Sequence, residues 1–375
     1  MDELVAHLQR CCVEEPIIKA MHCLLHADDT AIISTDRELF VKKCNAMVDY
    51  FNENNLSLNL PKSSYLIING GDEDPKVNLQ LNYGILEYKA KAVYLGSVVT
   101  DTGNIIHDVE EFVNGKRPNI TIKYNNFVRK NNMAPVGIKL NVLDVCVTAA
   151  LTYACETWGT ANVKPLEVAY RFGLKRALSV RDNVNTEILY VESDRCPLST
   201  RVAKQQLNFW LKLNTYLQDN PDHPLAGLIE HARGINLKYI AYYDGLKQEY
   251  ENPQDCLKQK CEQFRSECAD ALKRKAGDDV GSRCGVYLQV NPQLNPPEYK
   301  GIMEMERKLL SRYRSGSHSL GVEIGRMSNP PIPREQRLCS CNTGVQSLHH
   351  ILLECPLIDD LHNEYGFTSI EEAQE

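Results

Sequence analysis

The periodicity of apolar positions changes several times along the first hundred residues. Residues 1–15 read as a short helix. Residues 22–34 read as strand, turn and strand, with Ala27-Asp28-Asp29 at the turn, because Asp forms strands poorly and suits tight turns. Thr35-Asp36 offers a helix cap, with Glu38 as the capping-box acid opposite Thr35. The helix it starts reaches about residue 54, since Leu39, Phe40, Met47, Val48 and Phe51 recur at helical spacing. Leu56, Leu58 and Leu60 alternate as in a half-buried strand that Pro61 breaks and Tyr65–Ile68 resume. Residues 79–100 predict two more strands, closed by a turn at Asp101-Thr102-Gly103-Asn104.

From about residue 105 the pattern becomes helical. Helices are predicted over 106–130, 137–154, 164–179, 199–218, 254–276 and 300–315. The stretch 219–253 reads as a mixed connector and 278–299 as loop-rich. Pro330, Pro331 and Pro333 mark a linker. In the helix 254–276, Cys256, Cys261, Phe264, Cys268 and Leu272 fall near one face, which suits small core residues. The fold class expected is α+β.

Composition narrows the function classes. The chain has 375 residues, 43% hydrophobic and 24% charged, as ordinary globular chains do. No apolar run approaches the ~18 residues of a membrane span. The acidic start, MDELVAHLQRCCVEE, does not read as a signal peptide, and fourteen cysteines then predict free thiols in an intracellular, nuclear or cytoplasmic setting. The net charge of −7 argues against a dedicated basic nucleic-acid binder. It is uneven, however: −5 over 1–100, +4 over 101–215 and −6 over 216–375.

Two patterns carry chemistry. In LLHADDTAIIS, Asp28 and Asp29 sit side by side between apolar runs. Two buried carboxylates could not both stay ionised unless a cation lay between them. Mg2+ takes such oxygen ligands, and two-metal sites use them to activate an attacking hydroxyl and stabilise a leaving pyrophosphate. A plain turn is the other reading of the dipeptide. In LCSCNTGVQSLHHILLECP, Cys339 and Cys341 precede His349, His350 and Cys355, which makes a Cys3His set for tetrahedral Zn2+. His350 is preferred to His349 because it lies five residues before Cys355. Free thiols beside a surface histidine are the alternative. Zinc would stabilise a segment too small to fold unaided, of the kind that contacts RNA or DNA.

These motifs, taken together and in order, resemble the reverse transcriptases of non-LTR (LINE-like) retrotransposons. LLHADDTAIIS is similar to their catalytic hairpin, with His26 where an aromatic is usual. NLSLNLPKS resembles the next motif, through Asn59 and Lys62, and VYLGSVVTDTG the primer-gripping turn, through Tyr94, Leu95 and Gly96. LTYACETWG resembles a thumb signature, through Tyr153, Glu156 and Trp158, and the Cys/His segment a terminal module of such elements. The resemblance is colinear over about residues 15–360.

The resemblance implies a partial palm over 1–104, a helical thumb over 105–218, a helical connector over 219–333 and a zinc-knuckle-like module over 334–375. It implies Mg2+ or Mn2+ at Asp28 and Asp29, Lys62 near the phosphates of the incoming nucleotide, and Tyr94 and Gly96 at the primer terminus. An RNA template and a DNA primer would be the partners, with no membrane involved. Lys116, Arg117, Arg129 and Lys130, with Lys175 and Arg176, would clasp their duplex through phosphate contacts. The family's third acid and its fingers fall before Met1, so no independent polymerase activity is expected. A nucleic-acid-binding role without chemistry, or an inert element remnant, are the alternatives.

Overall fold

The computed structural model describes residues 2–12, 21–71, 74–157, 163–279, 281–299, 301–366 and 368–369. It is mixed α+β and mostly helical, with small sheets confined to the first hundred residues. Helix α1 (Asp2–Cys11) precedes the hairpin β1 (Cys23–His26) and β2 (Asp29–Ile32), then α2 (Arg37–Glu53). Strands β3 (Ser64–Tyr65), β4 (Leu79–Leu81), β5 (Gly84–Tyr88), β6 (Lys91–Tyr94) and β7 (Ser97–Thr100) follow. The rest is helical: α3 (Ile105–Lys130), α4 (Val136–Val142), a π-helical turn Leu143–Thr148, α5 (Ala149–Leu151), α6 (Lys164–Leu178), α7 (Thr186–Ser193) and α8 (Leu198–Asp219). Then come α9 (Pro224–Gly234), α10 (Lys238–Glu249), α11 (Pro253–Ala276), α12 (Arg283–Val290), α13 (Glu304–Arg314), α14 (Gly321–Met327), α15 (Leu348–Leu353) and α16 (Asp359–Tyr365).

The chain divides into two compact units, each of non-consecutive segments. The first holds residues 1–116, 154–162 and 202–255. Within it, α2 has two apolar faces. One packs Met47, Val48, Tyr50 and Phe51 with Leu4 and Leu8 of α1 and with Cys23, Leu25 and Ile32 of the hairpin. The other packs Cys44 with Tyr65, Leu79, Leu81 and Leu86 of the three-stranded sheet, whose order is β3-β5-β4. The hairpin β1-β2 pairs Cys23 with Ile32 and His26 with Asp29, and gains no third strand among the described residues. Farther along this unit, Trp210 of α8 packs on Ile229 and on Ile240 and Tyr243 of α10.

The second unit holds residues 117–153, 163–201 and 256–375. One of its cores joins Ile188 of α7 to Leu272 and Ala276 of α11 and to Cys284 and Tyr287 of α12. Buried charges are compensated. The Lys139 ammonium, fully buried, donates to Glu304 Oε1 (2.7 Å), whose carboxylate also takes a fork of bonds from buried Arg307.

The structure corrects several expectations. The helix at 37–53 is capped by Asp36, not Thr35: Asp36 Oδ1 accepts from the Leu39 N–H at 2.7 Å. Leu56, Leu58 and Leu60 form no strand; Pro61 instead sets a 3-10 turn over Leu60–Lys62. Residues 79–100 make four short strands rather than two, because turns interrupt them at Asn82-Tyr83 and Leu95-Gly96. The mixed connector 219–253 contains α9 and α10, with Pro224 in the first turn of α9 behind the cap in which His223 Nδ1 accepts from the Leu225 N–H (3.2 Å). The loop-rich stretch 278–299 contains α12, capped by Ser282 Oγ on the Gly285 N–H (3.0 Å). Trp158 and residues 13–15 of the first expected helix lie outside the described residues.

Candidate metal centre

The C-terminal cysteines and histidine come together from three local structures. Leu338 and Val345 form an antiparallel bridge, and the Cys339 N–H donates to Gly344 O (2.9 Å). These bonds fold Cys339–Gly344 into a tight loop, with Asn342 in the left-handed region (φ 62°) that asparagine tolerates. Helix α15 follows, capped by Ser347 Oγ, which accepts the His350 N–H (3.1 Å). Cys355 comes one residue after that helix's cap, where its carbonyl accepts from the Ile358 N–H (3.1 Å).

The donor atoms of Cys339, Cys341, His350 and Cys355 all lie within 4.8 Å of one another. Cys339 Sγ is 3.8 Å from Cys355 Sγ, and Cys341 Sγ is 3.1 Å from His350 Nε2. A Zn–S bond of about 2.3 Å gives a tetrahedral S–S edge of about 3.8 Å, so the spacing and the donor set fit zinc. This Cys3His cluster can hold a metal such as zinc.

Successive helical residues turn by about 100°, so adjacent histidines on α15 diverge. The His350 side chain is 4% exposed and faces the thiols, whereas that of His349 is 56% exposed. Glu354 sits behind them, with Oε2 3.4 Å from His350 Nδ1 and Oε1 3.2 Å from His349 Nδ1. A carboxylate behind a ligating imidazole fixes its ring and raises its basicity. The hydroxyl and N–H of Thr343, acting against burial, hold the Cys341 thiol down at about 6. Burial lowers His350, but its hydrogen bonds to Cys341 and Cys339 prevail and raise it. Cys355 is pushed up by burial. Thr343 and Glu354 are supporting residues that a search for ligand types alone misses.

The acid pair sits differently from its sequence frame. Asp28 and Asp29 are both exposed at the hairpin tip, beside Ala27 in the left-handed region (φ 53°). Exposed in this way, the pair carries no cost of burial for a metal to offset. No third His, Cys, Asp or Glu joins them in a ligand cluster among the described residues. Two carboxylates meet only part of the octahedral demand of Mg2+. Lys62 is exposed at the end of its 3-10 turn. Tyr94 and Ser97 flank a two-residue turn of Leu95 (φ 49°) and Gly96 (φ 81°), the backbone of a type I′ hairpin. Burial raises the Tyr94 phenol, and the charge of Asp29, in the same compact unit, raises it further.

The basic residues are dispersed. Lys116 is exposed with its ammonium 4.7 Å from the Phe112 ring centroid, and Arg117 is half-buried. Arg129 and Lys130 are exposed at the end of α3. Of the four, Arg129 lines a groove in the second unit that also holds Lys175, Arg176, Arg181 and Arg312. In the thumb-like motif, Tyr153 is exposed, and the Glu156 carbonyl accepts from the hydroxyls of Tyr239 (2.9 Å) and Tyr243. Among the described residues no helix is long and apolar enough to cross a membrane. No family model, curated protein or solved structure matches this chain.

Proposed function

We propose that the chain is a segment of an RNA-directed DNA polymerase of the non-LTR retroelement type, and that as it stands it holds nucleic acid rather than extending it. What supports this is that the two turns share the first compact unit, where burial and then the charge of Asp29 raise the phenol of Tyr94. In the resemblance these are the acidic turn and the primer-gripping turn. RNA template and DNA primer are the partners. Mg2+ or Mn2+ would be the ion at Asp28 and Asp29, which supply two of its ligands and leave the rest to substrate and water. Lys62 would set an ammonium against phosphate, and Gly96 would let a strand end approach the backbone.

The test is primer extension by the purified chain on an RNA template, alongside a gel-shift assay with the same primer–template. Binding without incorporation is expected. Absence of binding overturns the reading. Incorporation that Asp28→Asn and Asp29→Asn abolish would show an active polymerase and refute the holding role.

A second reading is an adaptor that uses only its C-terminal module. The Cys3His cluster favours it, since zinc knuckles contact single-stranded RNA. Under that reading, chelating zinc abolishes RNA binding while Asp28→Asn leaves it unchanged.

A further inference from the structure

Away from the metal centre, two thiols of the second unit meet. Cys196 lies between α7 and α8, and Cys261 lies on α11. Their side chains hydrogen-bond each other. Cys261 Sγ is also 3.9 Å from Thr200 Oγ1, whose hydroxyl donates to the Pro197 carbonyl (2.7 Å). One turn farther along α11, Arg265 Nη2 reaches Asp194 Oδ1 at 3.1 Å. The thiol pair and the ion pair thus hold α11 to one short segment, 194–200. Both cysteines are half-buried, so neither is sealed in the core.

Other cysteines are placed to stay inert. Cys256 and Cys268 of the same helix are buried, and burial pushes Cys268 up to about 12. Burial pushes Cys44 up to about 12 as well. Cys261 moves the other way. The Cys196 S–H donates to it, and Arg265 and Arg201 add positive charge, so its thiol is held down at about 6 against burial. Cys196, which keeps the shared proton, is raised. The thiolate is the nucleophile, and a partly exposed thiolate beside a second cysteine has the form of a reversible redox site. One sulfur is ready to attack, and the other is next to it to follow.

We propose that Cys261 and Cys196 form a thiol modification site, at which Cys261 takes up a low-molecular-weight disulfide such as oxidised glutathione and Cys196 resolves it to an internal disulfide. In the first step the Cys261 thiolate attacks one glutathione sulfur, the S–S bond breaks, and a glutathione thiolate leaves. That uptake removes the negative charge that held the proton on Cys196. Cys196 then gives its proton to water, and its sulfur attacks the Cys261 sulfur and expels the second glutathione thiolate. The protein loses two electrons and two protons, and two molecules of glutathione gain them. The chain leaves the second unit after Arg201 and returns to it at Cys256. A Cys196–Cys261 bond would therefore close the whole excursion 202–255 into a covalent loop, and a dithiol would open it again. This site is independent of the nucleic-acid reading.

The test is peptide mapping by mass spectrometry. The full chain, purified with zinc, is incubated with oxidised glutathione near neutral pH, and its remaining thiols are alkylated. A cross-link between the Cys196 and Cys261 peptides is expected, and dithiothreitol should remove it. Cys196→Ala should strand one glutathione on Cys261, whereas Cys261→Ala should leave Cys196 unmodified. The pH midpoint for alkylation of Cys261 should be about 6 in wild type and rise in Cys196→Ala toward the ordinary thiol value of about 8.5. Unfolding midpoints check that the variants fold, and the wild-type map judges the site without them. Glutathione that remains on Cys261 of wild type with no cross-link overturns the resolving step. A pair that stays reduced while the exposed Cys11 or Cys146 is modified overturns the site. Glutathione on Cys196 in Cys261→Ala as readily as on Cys261 in Cys196→Ala overturns the choice of nucleophile.

Discussion

Replacing each of two neighbouring histidines tests the metal centre most directly. His350 Nε2 lies 3.1 Å from Cys341 Sγ, and its side chain is 4% exposed. His349 is 56% exposed and only pairs with Glu354. A structural zinc site contributes on the order of 10–16 kcal/mol of apparent binding energy. His350→Ala removes one of four donors from inside the cluster, so the purified protein should lose its zinc to a chromophoric chelator. His349→Ala removes a surface pair worth about 0–1 kcal/mol and should retain one zinc per chain. Two graded variants lie between these extremes. Glu354→Gln loosens the support behind His350, for which losses of about 10–100-fold in affinity are usual. Its 3.4 Å contact and exposed carboxylate place it near the lower end, about tenfold or about 1.4 kcal/mol. Gly344→Ala would set a Cβ 2.9 Å from His350 Nδ1 and 3.3 Å from Cε1, which must displace the ring and weaken zinc. The assay is competition with the chelator, calibrated by elemental analysis. If His349→Ala releases zinc as readily as His350→Ala, or wild type expressed with ample zinc contains none, the assignment fails.

Two further outcomes follow from buried titratable groups. Burial holds His318 down at about 4, so the folded chain stays neutral there while the unfolded chain binds a proton near 6.5. Stability from this group is complete above about 6.5 and falls as pH drops toward 4, by about 3 kcal/mol in all. Urea titrations at several pH values check this: His318→Asn, which keeps an acceptor for the Leu320 N–H, should flatten the fall, and parallel curves for the two proteins would refute it. Glu304→Gln leaves Lys139 and Arg307 buried without their shared carboxylate and should cost about 3–5 kcal/mol in chemical denaturation, a loss below about 1 kcal/mol counting against the network.

Local chemistry was readable in the sequence where neighbours in the chain settle it. The hairpin at 23–32 followed from apolar runs on each side of Ala27-Asp28-Asp29, although Asp29 opens β2 opposite His26 and leaves a turn of two residues. The C-terminal cluster followed from Cys339, Cys341, His350 and Cys355, because a tight loop and one short helix suffice to bring them together. The helices inside the connector were less plain: Pro224 sits at the first turn of α9, where its missing N–H costs nothing and its fixed φ favours the helix. Leu56-Leu58-Leu60 alternated, yet no neighbouring strand pairs with them, and alternation without a partner makes no sheet.

What could not be read was anything assembled by distant segments. Arg181 and Arg312 are ordinary surface arginines in sequence, and they face one groove only because helix α6 ends where α13 packs its arginines against the last carbonyls. The acid pair shows how the two kinds of information combine. Its apolar frame suggested burial of the charges. In the folded chain, Cys23 and Leu25 of β1 face the α1–α2 core while Leu24 and His26 face outward; Asp28 lies in the turn and Asp29 opens β2 opposite His26, both exposed. The frame therefore belongs to the strands and the charge to the tip. A role for Asp28 and Asp29 must come from what approaches that tip, and not from the cost of burying them.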